Sequence, residues 1–290
     1  GKVTQDIAEQ IQVALNEPAK VQLGKPATVN QEAYEDYLKG RYFWNKRSGD
    51  GLRKSIEYFN RAIEKDANFA RAYAGLADTY ALSGDWEYGI LSPDEAFSKA
   101  KIAAAKALAL DEHLGDSHCA MGVSLSCAFD LEAAEWHLRH AQELNPNDST
   151  TRAFYANCAL TPQGKFDDAL AQFRLAHESD PLSMAISSSM GYAWYAARRY
   201  EEGLAHIWPL IEMAPTYTTN YLEAGRCLAQ LSRLDEALSA LEQSVKLSGG
   251  MSLDLAATHR YFTSSLDHLL TLTKSRRAPP YRGDDILQQP

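Results

Sequence analysis

A spacing of 34 residues organises this chain. Pro146, Pro181 and Pro215 each follow an apolar helical segment, at separations of 35 and 34, and the same register lands on Glu112 in one direction and Gly249 in the other. Self-similarity at a fixed period means that each unit is one supersecondary element, which buries its apolar face only by stacking on its neighbours. Counting back twelve, eight and five residues from each stop gives Ala134, Leu138 and Ala141; Ala169, Phe173 and Ala176; Gly203, Ile207 and Leu210; and Ala237, Leu241 and Ser244. Small, large, small at helical spacing recurs four times. Each unit also carries an earlier apolar helix with a small residue where two backbones must approach closely: Met121-Gly122, Met190-Gly191 and Ala224-Gly225. The unit is helix, turn, helix.

Two earlier units fit the same columns. Ser55, Phe59, Ala62 and Ala67 close the first. In the second, Tyr73, Leu76, Ala77 and Tyr80 form one helix and Ala100, Ala104, Ala107 and Glu112 close the other, with 11 extra residues around Ser83 to Ser92. A loop between the two helices of one repeat can lengthen without breaking the stack. Ser92-Pro93-Asp94-Glu95 restarts the helix, with Ser as N-cap, Pro at the first helical position and Glu expected to bond back to the cap.

These columns resemble the tetratricopeptide repeat over roughly residues 32 to 250, with Gly115 to Asp148 the closest unit. The resemblance implies an all-α fold, a right-handed α-solenoid of antiparallel helix pairs. Six pairs are expected over 32–249, with an insertion near 83–92. The segment YEDYLKGRYFWNKRS, Tyr34 to Ser48, together with YFNRAIEKD and AYAGLADTYAL, is similar to the repeat regions of large bacterial signalling proteins. In those proteins a winged-helix, kinase or cyclase domain, often with a TolB-like segment, precedes the array. Residues 1–31 are then expected to be a lead helix and linker ending a preceding domain. Residues 250–277, with Leu255, Phe262, Leu266, Leu269, Leu270 and Thr273 at helical spacing, are expected to cap the stack, and 278–290 to form an irregular tail.

Composition narrows the function classes. Apolar residues make up 45% and charged residues 23%, which excludes disorder and fibre. A net charge of −9, with no basic stripe, argues against direct nucleic-acid binding. No window approaches the roughly 18 uninterrupted apolar residues of a membrane span. Cys119, Cys127, Cys158 and Cys227 lie far apart within apolar segments and read as buried thiols, a weak pointer to a reducing, cytoplasmic compartment. No phosphate-binding glycine loop, nucleophile elbow or metalloprotease helix occurs, so no enzyme activity and no cofactor is expected. His137 and His140, one turn apart on a helix, with His118 before them, form the nearest approach to a metal site. A solvated polar face explains them as well, and no metal is expected. Ser187-Ser188-Ser189 reads as a helix start rather than a nucleophile.

The concave groove of such arrays is lined by first helices. By resemblance, its columns here are Arg71, Ala74, Asp78 and Ala81; Asp116, Cys119, Val123 and Ser126; Ala185, Ser188, Tyr192 and Tyr195; and Thr219, Leu222, Arg226 and Ala229. In the fourth repeat one extra residue leaves either Phe154 and Cys158 or Ala153 and Asn157 facing inward. The Lys, Asn and Arg clamp of chaperone-binding members is not assembled. Arg71, Asp78, Tyr192, Tyr195 and Arg226 are therefore the expected contacts of a protein or peptide partner. Trp86 and Tyr88, in the insertion, either fold back on the second repeat or form a contact patch. The expected function is a non-catalytic interaction module, a scaffold or sensory segment. The alternative is self-association through the last helix or the insertion, giving a homodimer that pairs an attached output domain.

Overall fold

The computed structural model describes residues 30–247 apart from 85–87 and 89. The described helices are α1 (Gln31–Asn45), α2 (Gly49–Lys65), α3 (Ala70–Ser83), α4 (Pro93–Leu110), α5 (Gly115–Cys127) and α6 (Leu131–Leu144). They continue with α7 (Ser149–Phe154, running into a π-helical turn Tyr155–Leu160), α8 (Phe166–Ser179), α9 (Met184–Ala196), α10 (Tyr200–Met213), α11 (Thr218–Gln230) and α12 (Leu234–Leu247). There is no strand among the described residues. Consecutive helices pack as six pairs into an α-solenoid, each pair also touching the next. The expected cap at 250–277, the tail and most of the lead segment lie outside the described residues. Asn30, at the edge of the lead segment, caps α1 by accepting from the amides of Glu32 and Ala33 at 2.9 and 3.3 Å.

The repeating columns are the packing. A Cβ added at Gly122 would lie 2.5 Å from Leu138 Cγ, so the bare backbone of α5 is what lets the leucine of α6 seat at 0% exposure. The first two repeats share one such knob. Phe59 of α2 is fully buried between Gly40 of α1 and Gly75 of α3, whose added Cβ atoms would stand 2.6 and 2.5 Å from its ring. Burial of a ring of this size contributes about 1.5–3 kcal/mol.

Two kinds of punctuation repeat with the period. Two second helices stop at aspartates whose side chains bond the chain just beyond: Asp66 Oδ1 accepts from the amide of Asn68, and Asp111 Oδ1 from that of His113, each at 3.0 Å. Five of the six first helices end in a left-handed residue: Arg47, Phe129, Gly164, Arg198 and Ser232, with φ of 45°, 59°, 73°, 59° and 60°. One of the five is glycine, so four turns hold a side chain where the backbone disfavours it.

The extra residue of the fourth repeat sits in the π turn, where the Thr161 amide bonds to the Ala156 carbonyl at 3.0 Å, five residues back. Phe154 and Cys158 pack with Cys119 and Val123 of α5, and Ser126 Oγ donates to the Cys158 carbonyl at 2.6 Å.

The loop between α3 and α4 closes at its base, with the Leu91 amide bonded to the Ser83 carbonyl at 3.1 Å. Tyr88 is half-buried. Its carbonyl oxygen lies 3.5 Å from where a Cβ on Gly49 would stand, so this part of the insertion rests on the start of α2, in the first pair rather than the second. Ser92 caps α4 through the Glu95 amide, but the Glu95 carboxylate turns outward to Lys99 at 2.7 Å instead of bonding back. An i,i+4 ion pair on an exposed face has taken its place.

Candidate functional site

Successive first helices bring charge together on one face of the solenoid. A cavity of about 240 Å³ is lined by Tyr37 and Arg41 of α1, Arg71, Ala74, Gly75 and Asp78 of α3, and Asp116 and Cys119 of α5. Asp148, Thr150 and Thr151 at the start of α7 complete it, with Asn145. Asp148 is there as an N-cap: it accepts from the amides of Thr150 and Thr151 at 3.2 and 3.1 Å and from the Thr151 hydroxyl. The stacked repeats superimpose the other positions.

Three carboxylates and two guanidiniums meet there. Arg41 lies 3.7 Å from Asp78 Oδ2, and Arg71 Nε lies 3.6 Å from Asp116 Oδ2. Asp78 is 7% exposed, and its Oδ1 is buried without a hydrogen-bond partner. Burial pushes the Asp78 carboxyl up to about 7; Arg41 and Arg47 oppose the rise and the negative charges of Asp116 and Asp148 add to it. Burial also raises Asp116, against the pull of Arg71 and with Asp148 adding to the rise. Burial lifts Tyr37 to about 12.

Trp44 lies beside this cavity on α1, 2% exposed. The guanidiniums of Arg41 and Arg47 lie over its ring at 4.5 and 3.7 Å, and Phe154 of α7 meets it edge-on. Neither Arg41 nor Trp44 was among the expected groove residues. A signal for both was present: Gly40 occupies the small-residue column, and the spacing that gives Arg71, Ala74, Asp78 and Ala81 around Ala77 gives Tyr34, Tyr37, Arg41 and Trp44 around Gly40.

The later half of the array has a second cluster. Tyr192 and Tyr195 of α9 stand 6.5 Å apart, and the Arg226 guanidinium of α11 lies 5.9 Å from each ring. Glu223 Oε1 accepts from Arg226 at 2.7 Å, and Ser188 donates to Asn220 beneath them. The expected residues thus divide in two, Arg71 and Asp78 in the charged cavity and Tyr192, Tyr195 and Arg226 together further along. Trp86 lies outside the described residues.

The histidines come together without forming a metal centre. His118 Nε2 bonds to the Glu112 carbonyl at 2.9 Å; a carbonyl only accepts, so this nitrogen carries the proton and His118 Nδ1 accepts from His137 Nδ1 at 3.0 Å. Burial lowers His137 to about 4, with His118 and His140 adding to the fall. Trp136 stacks on His140. No group of three His, Cys, Asp or Glu among the described residues is placed to hold a metal ion. Ser187 is 2% exposed, with its hydroxyl 3.2 Å from His177 Nδ1 and its carbonyl accepting from His206 Nε2 at 2.8 Å. No described helix is long and apolar enough to cross a membrane.

Comparison with known proteins agrees with this architecture. Residues 162–207, spanning α8, α9 and most of α10, match the family model described as tetratricopeptide repeat. Superkiller complex protein 3 of Mus musculus is 23% identical over 246 residues, covering 72% of this chain; the match spans 15% of the length of that relative. The crystal structure of TTC0263, a tetratricopeptide-repeat protein of Thermus thermophilus, aligns with a TM-score of 0.54 at 16% identity, covering 68% of this chain and 98% of that one. PilF of Pseudomonas aeruginosa aligns with a TM-score of 0.49 at 17% identity, over 71% of this chain and 91% of that one.

Proposed function

We propose that this tetratricopeptide-repeat array is a non-catalytic interaction module that holds a peptide or partner segment along the face formed by its first helices. One observation carries the reading: four successive first helices direct Arg41, Arg71, Asp78, Asp116 and Asp148 into a single cavity. Stacking helix pairs needs only the small and large apolar columns, so charge converging from four repeats serves something other than the stack. Tyr192, Tyr195 and Arg226 give the same face a second anchor of the kind enriched at interfaces, aromatic rings with a guanidinium over them. The partner is a protein or peptide rather than a nucleic acid, in keeping with the net charge of −9. The resemblance of Tyr34 to Ser48 supports a place within a larger signalling protein, and four cysteines outside any disulfide support a cytoplasmic one.

Probing an array of random decapeptides with the full chain tests the reading. Retention of a subset of peptides, lowered by Asp78→Asn or by the pair Tyr192→Ala and Arg226→Ala but not by Trp136→Ala on a second helix, is the expected result. Retention that ignores the first-helix substitutions overturns it. The self-association alternative rests on Trp86 and residues 250–277, outside the described residues; a monomer by light scattering at high micromolar concentration sets it aside.

A further inference from the structure

We infer that the outer face of α1, along Tyr34, Leu38 and Tyr42, is a docking site for residues 6–15 of the same chain, which lie across it as an amphipathic helix.

The repeat register shows what this face is built to meet. Two residues to either side of Gly40 stand Leu38 and Tyr42. Their counterparts around the same small-residue column are Gly75 and Thr79 of α3, Ala120 and Ser124 of α5, Ser189 and Ala193 of α9, and Glu223 and Cys227 of α11. Ser189 is half-buried and the other seven are buried. The cover comes from the second helix of the preceding pair. Phe59 of α2 lies on Gly75, and the Ser55 hydroxyl of α2 hydrogen-bonds with that of Thr79 at 3.0 Å. Ala120 clusters with Ala104 and Ala107 of α4, and Cys227 Sγ lies 3.1 Å from where a Cβ on Gly203 of α10 would stand. No pair precedes α1 among the described residues. Yet Tyr34, Leu38 and Tyr42, at i, i+4 and i+8, are large, apolar and 42%, 49% and 58% exposed. A solenoid end that faces water needs a polar surface, and an apolar stripe over three turns is the surface of a helix that takes a neighbour.

The chain just ahead of α1 supplies that neighbour. The run DIAEQIQVAL, residues 6–15, sets Ile7, Ile11 and Leu15 at the same i, i+4, i+8 spacing as the stripe. Ridges of this spacing on two helices interdigitate when the helices pack. Asp6 followed by Glu9 reads as a capping box, and Pro18 ends the run soon after Leu15. Residues 16–30 then join it to α1. At roughly 3.3 Å each they reach about 50 Å, while the 15 residues of α1 are about 22 Å long, so the segment can fold back along the helix.

Charge agrees with this occupant. Residues 6–17 carry Asp6, Glu9 and Glu17 and no cation. The stripe is flanked by Lys39 and by Lys46, whose ammonium stands over the Tyr42 ring at 4.8 Å, against Glu35. The other amphipathic run, within 250–277, follows α12 at the opposite end of the stack. Docked on α1, residues 6–15 take the place that a second helix holds in every later junction, and the first pair gains a partner on both sides.

Amide hydrogen exchange of the full chain, read by mass spectrometry, tests the docking. A helix of ten residues is marginal in water on its own, so slow exchange over residues 8–15 requires packing. These amides are expected to exchange about ten-fold or more slower in the parent chain than in Leu38→Asp, and Ile11→Asp is expected to remove the same protection. Leu182→Asp, at an exposed leucine between α8 and α9, should leave it within about two-fold. Tyr42→Asp, at the more exposed neighbour, keeps the test usable should Leu38→Asp disturb α1. Exchange over 8–15 at the rate of an unstructured chain in the parent overturns the docking, and so does protection that survives both α1 substitutions. Light scattering on the same samples supplies the remaining outcome. A parent dimer that Leu38→Asp converts to monomer, with exchange over 8–15 unchanged, assigns the stripe to a second copy and overturns it too.

Discussion

Trp44 of the first helix meets Phe154 of the seventh, with ring centroids 6.2 Å apart and planes at 66°. The pair joins the first repeat to the fourth, although a stack of nearest neighbours requires no such contact. It closes the early part of the array upon itself beside the charged cavity.

Trp44→Ala is accordingly expected to lower stability by about 3–5 kcal/mol, the cost of emptying a large aromatic site. Chemical denaturation measures it. A double-mutant cycle with Phe154→Ala should return a coupling of about 0.5–1.5 kcal/mol; additivity would mean that the rings are neighbours without mutual support.

Phe129 is 86% exposed and sits at φ 59°, so its ring contributes little packing while its Cβ strains the turn. Phe129→Gly is expected to stabilise by about 1 kcal/mol. The mirror experiment is Gly164→Ala: at φ 73° with nothing within 4 Å of the added Cβ, the loss of about 1 kcal/mol would come from backbone strain alone. Thermal unfolding of both variants checks the pair of signs.

Gly122→Ala drives a methyl into Leu138 and is expected to cost about 1–3 kcal/mol. Adding Leu138→Ala should then cost less than it does in the parent chain, because the small residue has moved to the other side of the contact. Equal costs in both backgrounds would show that the helices simply slide apart.

Half-buried His137 and buried Asp78 pull the pH dependence in opposite directions. His137 titrates near 4 in the fold against about 6.5 in the unfolded chain, so the unfolded state binds more protons between those values and stability falls as pH drops from 6.5 towards 4. Asp78 titrates near 7 against about 3.8 unfolded, so the fold binds more protons there and stability falls as pH rises from about 4 to 7. His137→Gln should flatten the acid side. Asp78→Asn should raise stability by about 1–3 kcal/mol at pH 8 and change it little at pH 4. Denaturation midpoints across pH 4–8 separate the two.

The sequence made the stack legible because stacking is written in it. Leu138, Phe173, Ile207 and Leu241 recur at fixed distances from helix stops, and each is buried. Arg71, Asp78 and Asp116 were readable as inward-facing for the same reason, since one column register covers all repeats. Arg41 and Trp44 fall in these columns only when the register extends to Gly40, in a first unit that departs most from the repeat pattern. Asp148 escaped for a different reason. It lies before its helix, and a capping residue has no place in a pattern of helix faces. The carboxylate of Glu95 showed the limit of local signatures: the bond back to Ser92 competes with Lys99 one turn on, and the ion pair prevails.

The π turn at Tyr155–Leu160 has a consequence for how such an array can grow. An extra residue turns everything beyond it by about 100° around the helix axis unless it is absorbed within one turn. Here it is absorbed, and the faces before and after it stay in phase. Arrays lengthen by copying whole units, and the units of this one are not interchangeable templates. A duplicate of Gly115 to Asp148 would extend the stack in step, while a duplicate of the following unit would bring a second π turn with it, and without that turn its inward face would point elsewhere.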